Sequence, residues 1–152
     1  MHRLRNSLVK KFILALALFV SHGAFAQTQW LSMTGDAADP TVDTVQVDPV
    51  TFNRAGALRT VRVRVSRINE RKSWDGAVYR SYVSEVLIDC SSRTGRYLSI
   101  EFFAQPLWQG ETHGKTAYSK REVRPMLFRD MDPNPTQRLI RAACQTENVQ
   151  AK

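Results

Sequence analysis

The sequence predicts an α+β fold: an antiparallel β-sheet meander with one C-terminal α-helix packed on it, tied by a disulfide. Three observations carry this. Val61, Val63 and Val65 alternate with Arg62, Arg64 and Ser66, the period-two pattern of a sheet buried on one face. Further alternating runs lie on either side, separated by turn residues. Near the end, Leu139, Ile140, Ala143 and Cys144 form a stripe of helical period.

The elements follow in order. Gln29 to Met33 is a short apolar-containing run, broken by Gly35 to Pro40. Val45 and Val47 alternate with Thr44, Gln46 and Asp48, a strand expected to end at Asp48-Pro49. Asn53-Arg54-Ala55-Gly56 reads as a turn. Arg59 to Arg67 is the clearest strand, and Asn69 to Gly76 a charged loop pivoting on Gly76. Ala77 to Cys90 reads as a long strand, with Val78, Tyr82, Val86, Ile88 and Cys90 on one parity. After a turn at Arg93-Thr94-Gly95-Arg96, Leu98, Ile100, Phe102 and Ala104 alternate with Ser99 and Glu101.

From Pro106 to Pro133 the pattern weakens to a loop, with a short strand at Lys115 to Ser119. Asn134 then offers a helix cap, Pro135 a first helical residue and Gln137 the third position after the cap. The helix so begun is expected to cover the apolar face of the sheet.

The N-terminus has the form of an export signal. Arg3, Arg5, Lys10 and Lys11 precede nine apolar residues, Phe12 to Val20, and Ala24-Phe25-Ala26 offers a cleavage site. Residues 1–26 are expected to be removed, leaving 27–152 as a single domain in the periplasm, at the outer surface or in the medium. The apolar run is short for a span of about 30 Å of hydrocarbon, and no transmembrane segment is expected in the mature chain. The signal holds four of the 22 basic residues and none of the 14 acids. Residues 27–152 therefore carry 18 basic against 14 acidic groups, a net of +4. That mild excess permits an anionic partner without demanding one.

The composition also weighs against several chemistries. Cys90 and Cys144 are the only cysteines, and in an oxidising compartment a disulfide is the expected use. Zinc needs about four ligands, whereas the mature chain has one histidine, His113, and no further cysteine. No metal or other cofactor is expected. A Ser-His-Asp site would have to use His113, set between Thr112 and Gly114 in a loop. Glu85 and Asp89 lie four apart, as a carboxylate pair for a small periplasmic hydrolase would. The alternative for these acids is a polar strand face with Asp89 bonding locally at a turn. A periplasmic inhibitor or assembly partner is a further alternative.

Arg59, Arg62, Arg64, Arg67, Arg71 and Lys72 crowd one strand and its loop, with Trp74 beside them and Arg80 on a neighbouring strand. The six cations of the strand and its loop, with Trp74, are the predicted binding residues, with the contact centred on Arg62 and Arg64, for an acidic protein surface, a polyanionic glycan or a lipid head group. Nucleic acid is not expected, because no base-stacking motif accompanies the arginines and the mature charge is small. The alternative is a solvated sheet face whose charges discourage edge-to-edge aggregation. A homodimer stays open.

The order of these features resembles the surface-adhesin protein E family of Gram-negative bacteria. The matching pieces are Trp30, Val45-Gln46-Val47-Asp48, Arg54-Ala55-Gly56, the strand Val61 to Val65, Tyr79-Arg80-Ser81, Ile88-Asp89-Cys90 with Arg93 and Arg96, and the terminal Ala143-Cys144. They span roughly 30 to 145. The resemblance implies a small antiparallel sheet with a C-terminal helix, and a non-enzymatic, adhesin-like binding protein contacting host or envelope macromolecules. One departure is the lack of a cysteine near the cleavage site that could accept a lipid anchor.

Overall fold

A strand with valine on every second position must bury one face and wet the other. In the computed structural model, the valine strand lies inside a sheet built that way. The structure describes residues 30–145, apart from the side chains of 50–52; the predicted signal peptide, 1–26, lies outside the described residues. The strands are β1 (Leu31–Thr34), β2 (Thr44–Ala55), β3 (Leu58–Lys72), β4 (Val78–Asp89), β5 (Thr94–Phe103), β6 (Thr112–Ala117) and β7 (Arg124–Pro125). β1 to β6 pair in chain order, all antiparallel, and β7 joins the start of β5 beside β6. A 3-10 turn, Pro106–Trp108, separates β5 from β6, and one helix, α1 (Thr136–Gln145), closes the described chain.

The inner face is apolar. Val45 and Val47 of β2, Val61, Val63 and Val65 of β3, Val86 and Ile88 of β4, and Ile100 and Phe102 of β5 are all buried there. Leu139, Ile140 and Ala143 of α1 are buried against them, as the helical stripe predicts. Asn134 Oδ1 accepts the Thr136 backbone N–H at 2.9 Å, while its amide donates to the Leu127 and Phe128 carbonyls at 2.8 and 2.9 Å. The cap therefore also fixes where the helix leaves the preceding segment. Arg138 of α1 donates to the Met33 carbonyl at 2.7 Å, tying the helix to β1.

Several expectations are corrected. β2 does not end at Asp48-Pro49. Proline lacks an N–H, so the ladder is interrupted there, with a register shift between Asp48 and Asn53, but pairing with β3 resumes to Ala55. The reversal then falls on Gly56, whose φ of +60° suits a residue without Cβ. Arg59 donates to the Gly56 and Leu58 carbonyls at 2.6 and 3.0 Å and so braces this turn.

β3 runs on to Lys72 rather than stopping at Arg67, and the charged loop shrinks accordingly. The extension is irregular. Ser66 pairs with Ser81 but the next paired residue, Arg71, faces Tyr79. The shift reverses the parity at the start of β4. Val78 is therefore exposed, while Tyr79 packs on Tyr82 and Phe102. A second shift, opposite Glu85 and Val86, leaves Leu98 unpaired in that ladder. Tyr97 is buried in consequence and Leu98 only half-buried, although the sequence places Leu98 on the core face.

The helix is also not the only cover. Tyr118, Met126, Phe128 and Met131, from the weakly patterned stretch, are buried in the same core. Cys90 and Cys144 form a disulfide with a Cα–Cα distance of 5.7 Å, joining the residue after β4 to the last turn of α1. A crosslink closing 54 residue steps restricts the unfolded chain by about 4 kcal/mol in the chain-entropy picture. Replacing Cys90 by Ala should lower the free energy of unfolding by about 2–5 kcal/mol, measured by urea denaturation under oxidising conditions. A loss well under that range would mean that the apolar stripe, the Asn134 cap and the Arg138 contact hold the helix without the crosslink.

Candidate functional site

Side chains on β3 alternate between the two faces of the sheet, so its basic residues cannot form one patch. Arg59 and Arg67 share the parity of the valines and are buried. Arg62 and Arg64 lie on the outer face, where Arg62 is exposed and Arg64 half-buried. Arg71 and Lys72 lie past the irregularity, near the hairpin turn that carries Trp74. The structure therefore splits the seven predicted binding residues into three sets.

The outer set is a stack. The Arg64 guanidinium sits 4.4 Å from the Trp30 ring centroid and 3.9 Å from that of Trp108. Its Nε donates to Gln46 Oε1 at 2.7 Å, and Gln46 Nε2 donates to Ser32 Oγ at 2.9 Å, a chain running from β3 across β2 to β1. Trp108 is held in turn. Its indole N–H is shared between the Val65 and Tyr82 carbonyls at 3.1 Å each. The Leu107 and Trp108 backbone N–H groups donate to Ser66 Oγ at 2.9 Å and Ser81 Oγ at 3.0 Å. These contacts maintain Leu107 and Trp108 at φ of 53° and 59°, a left-handed conformation that side chains with Cβ rarely adopt. Burial, with the nearby Arg62 charge, lowers the Arg64 pKa to about 10, so the guanidinium stays charged at neutral pH. Arg62 is 5.5 Å from the Trp30 centroid and opposite Asp48 and Glu85 in register.

In the inner set Arg59 braces the β2–β3 turn, and Arg67 braces the β3 irregularity. Arg67 Nη2 meets Asp43 Oδ2 at 3.5 Å and the Asp130 carbonyl at 3.3 Å. Asp43 Oδ1 accepts the Ile68 N–H at 2.8 Å. Arg80 donates to the carbonyls of Arg67 and Ile68, the latter at 2.7 Å, and to that of Pro40. Those two β3 carbonyls lie in the stretch where the ladder is interrupted. Arg80, on the neighbouring strand, thus serves the backbone.

The third set surrounds a cavity of about 520 Å³ between the sheet and the 125–130 segment. Arg67, Arg71, Lys72 and Trp74 line it together with Tyr79, Tyr82, Tyr97, Phe102, Phe128, Arg129 and Asp130. Four of the predicted residues therefore do converge. The tyrosines were not anticipated; the β4 parity reversal that brings Tyr79 in is not a sequence-level signal. Arg71 Nη1 pairs with Asp130 Oδ2 at 3.4 Å, and its buried Nε has no hydrogen-bond partner among the described residues. Trp74 is 57% exposed, with its ring 6.0 Å from that of Tyr97 and edge-on to Tyr118 at 6.4 Å. Arg124 lies 5.7 Å from its centroid. Tyr118 donates its hydroxyl to Asp75 Oδ2 at 3.0 Å.

The residues of the hydrolase alternative lie elsewhere. Glu85 is exposed on the outer face. Asp89 accepts the N–H groups of Ser91 and Ser92 in the β4–β5 turn, and hydrogen bonding from Ser92 and Ser91 holds its carboxyl below the usual range. Neither lines the cavity. His113 pairs with the Val78 carbonyl and is exposed.

The family described as surface-adhesin protein E matches residues 30–145 of the chain, all of the described residues. No curated protein matches it.

Two predictions follow from this geometry. Arg64→Ser removes a cation from between two indoles and strands the Gln46 carbonyl. It should destabilise the fold by about 1–3 kcal/mol, whereas Arg62→Ser should stay within about 0.5 kcal/mol; urea denaturation of both variants measures the contrast. The second concerns pH. Burial pushes the phenols of Tyr79, Tyr82, Tyr97 and Tyr118 upward, that of Tyr118 to about 12. These are all four tyrosines of the chain. An unfolded phenol loses its proton near pH 10 while the folded one keeps it, so the unfolded state then binds fewer protons. Their stabilising contribution is full below that pH and declines as pH rises above it. Ultraviolet titration should show no phenolate band at the ordinary pH, and a steep one that coincides with alkaline unfolding.

Proposed function

Because this chain belongs to the surface-adhesin protein E family, we propose that it is an exported, non-enzymatic binding protein that contacts acidic macromolecules at the envelope or a host surface. The observation that carries this reading is the β3–β4 hairpin. Ile68, Trp74 and Val78 are three of its large apolar side chains, each more than 40% exposed, and Lys72 is exposed among them with Arg71 half-buried beside it. An accessible tryptophan with an arginine nearby combines two of the residue types enriched at interface hot spots. The hairpin tip is also well built. The Ser73 N–H donates to the Ala77 carbonyl at 2.8 Å and Ser73 Oγ accepts the Ala77 N–H at 3.0 Å, so little ordering is required on binding.

The outer face supports a contact less well. Its Arg64 is already engaged by two indoles and a glutamine, and Arg62 faces acidic neighbours in register. The centre of contact is therefore moved from Arg62 and Arg64 to the hairpin. Among the described residues no helix is long and apolar enough to cross a membrane.

Immobilised heparin, as a stand-in polyanion, should retain the protein, with retention falling as salt rises. Lys72→Glu combined with Trp74→Ala should abolish most of that retention, while Arg62→Ser should leave it near wild type. Retention lost with Arg62→Ser but kept in the hairpin variant would return the contact to the outer face.

A further inference from the structure

The cavity beneath the hairpin combines features that a flat adhesive surface does not need. Its volume of about 520 Å³ lies within the range of small-molecule sites, roughly 300–1,000 Å³. Four cations, Arg67, Arg71, Lys72 and Arg129, line it with one acid, Asp130; Arg71 pairs with Asp130 and Arg67 with Asp43 from outside the lining, so the cavity keeps an excess of positive charge. Arg67 is almost wholly buried, its side chain 7% exposed, and a buried guanidinium presents donors in a fixed geometry. Arg71 contributes a buried Nε without an acceptor among the described residues.

The tyrosines add a further donor. The Tyr82 and Tyr97 hydroxyls, both buried, lie 2.8 Å apart and bond each other. One hydrogen makes that bond. The other hydroxyl hydrogen has no acceptor among the described residues. Burial pushes both phenols upward, so both keep their hydrogens. A buried donor left without an acceptor is costly, and here it stands in a cationic cavity.

We propose that this cavity is a binding site for one acidic sugar unit, a uronate or sulfated saccharide. It rests on the reading of the protein as a binder of acidic macromolecules, and it assigns the part of the partner that enters. The acid group meets Arg67, Arg71 and the spare tyrosine hydrogen. The rings of Trp74 and Tyr79 receive the apolar face of the pyranose. Asp130 accepts from a sugar hydroxyl, a role a bare inorganic anion would leave empty. The volume likewise exceeds what a single sulfate or phosphate fills.

The test is calorimetric titration of the exported protein, purified from the envelope fraction, with defined disaccharides. A sulfated uronate disaccharide should bind saturably at one site, and its unsulfated uronate counterpart should separate the carboxylate from the sulfate share. A neutral disaccharide and sodium sulfate alone should each bind at least tenfold more weakly. Tyr82→Phe/Tyr97→Phe removes both hydroxyls together, which protects the fold because neither is left unpaired. It should weaken disaccharide binding about tenfold with near-ultraviolet circular dichroism of native form. Equal binding of neutral and acidic disaccharides, wild-type affinity in the tyrosine variant, or no saturable binding overturns the site. Heparin retention separates the two levels. A protein that holds heparin through its hairpin but ignores the disaccharides keeps the surface reading and loses this one. A protein that holds neither loses both.

Discussion

The irregular pairing of β3 with β4 between Ser66 and Arg71 is the constraint on which the rest of this molecule depends. Up to Ser66 the two strands form a regular ladder over an apolar face. Beyond it, β3 uses more residues than β4 to cover the same distance. The excess frees backbone groups, and the neighbouring residues are organised to satisfy them. Arg80 takes the carbonyls of Arg67 and Ile68, Asp43 takes the Ile68 N–H, and Arg67 bridges Asp43 to the Asp130 carbonyl. The same excess reverses the parity of β4, swings Tyr79 inward and opens the space that becomes the cavity. Bulges of this kind commonly sit beside binding sites because they re-aim side chains without breaking the sheet.

The arginines illustrate how a basic composition can mislead. A guanidinium carries five N–H donors in a rigid fork, which makes it as useful to a backbone as to a ligand. Arg59 braces the β2–β3 turn, Arg80 the irregularity, Arg138 the junction of helix and β1. Arg64 fills the gap between two indoles. Several of the arginines are thus spent within the fold. Trp108 shows the complementary case. It sits on the outer face, its indole N–H shared between carbonyls of paired strands, and its backbone accepts a left-handed conformation to reach them.

The stretch from Pro106 to Pro133 changes the account of the core. A single short helix cannot cover a sheet of this width, and Tyr118, Met126, Phe128 and Met131 complete the cover. The 125–130 segment then does two things at once. It buries the apolar face through Met126 and Phe128, and it forms one wall of the cavity through Arg129 and Asp130. The cover of the core and one wall of the cavity are therefore made by a single stretch of backbone.

By itself, the sequence determined the fold class, the one-sided sheet, the helix with its asparagine cap, the Cys90–Cys144 pairing and the family. Each is a local matter: a period of two, a period of 3.6, a capping residue, two cysteines with no alternative partner. It also identified the basic residues around Trp74. Only the tertiary structure decided which of these share a surface. Parity along β3 can be counted, and it already sets Arg59 and Arg67 with the valines, yet chain proximity groups them with Arg62 and Arg64. The reversal at Tyr79 and the unpaired Leu98 arise from register shifts, which depend on how two strands fit side by side and leave no mark in either one. The cover from 118 to 131 has no period, because each of its buried residues meets the core from an irregular backbone. The site is built where these non-local features meet, and for that reason it was legible only in part.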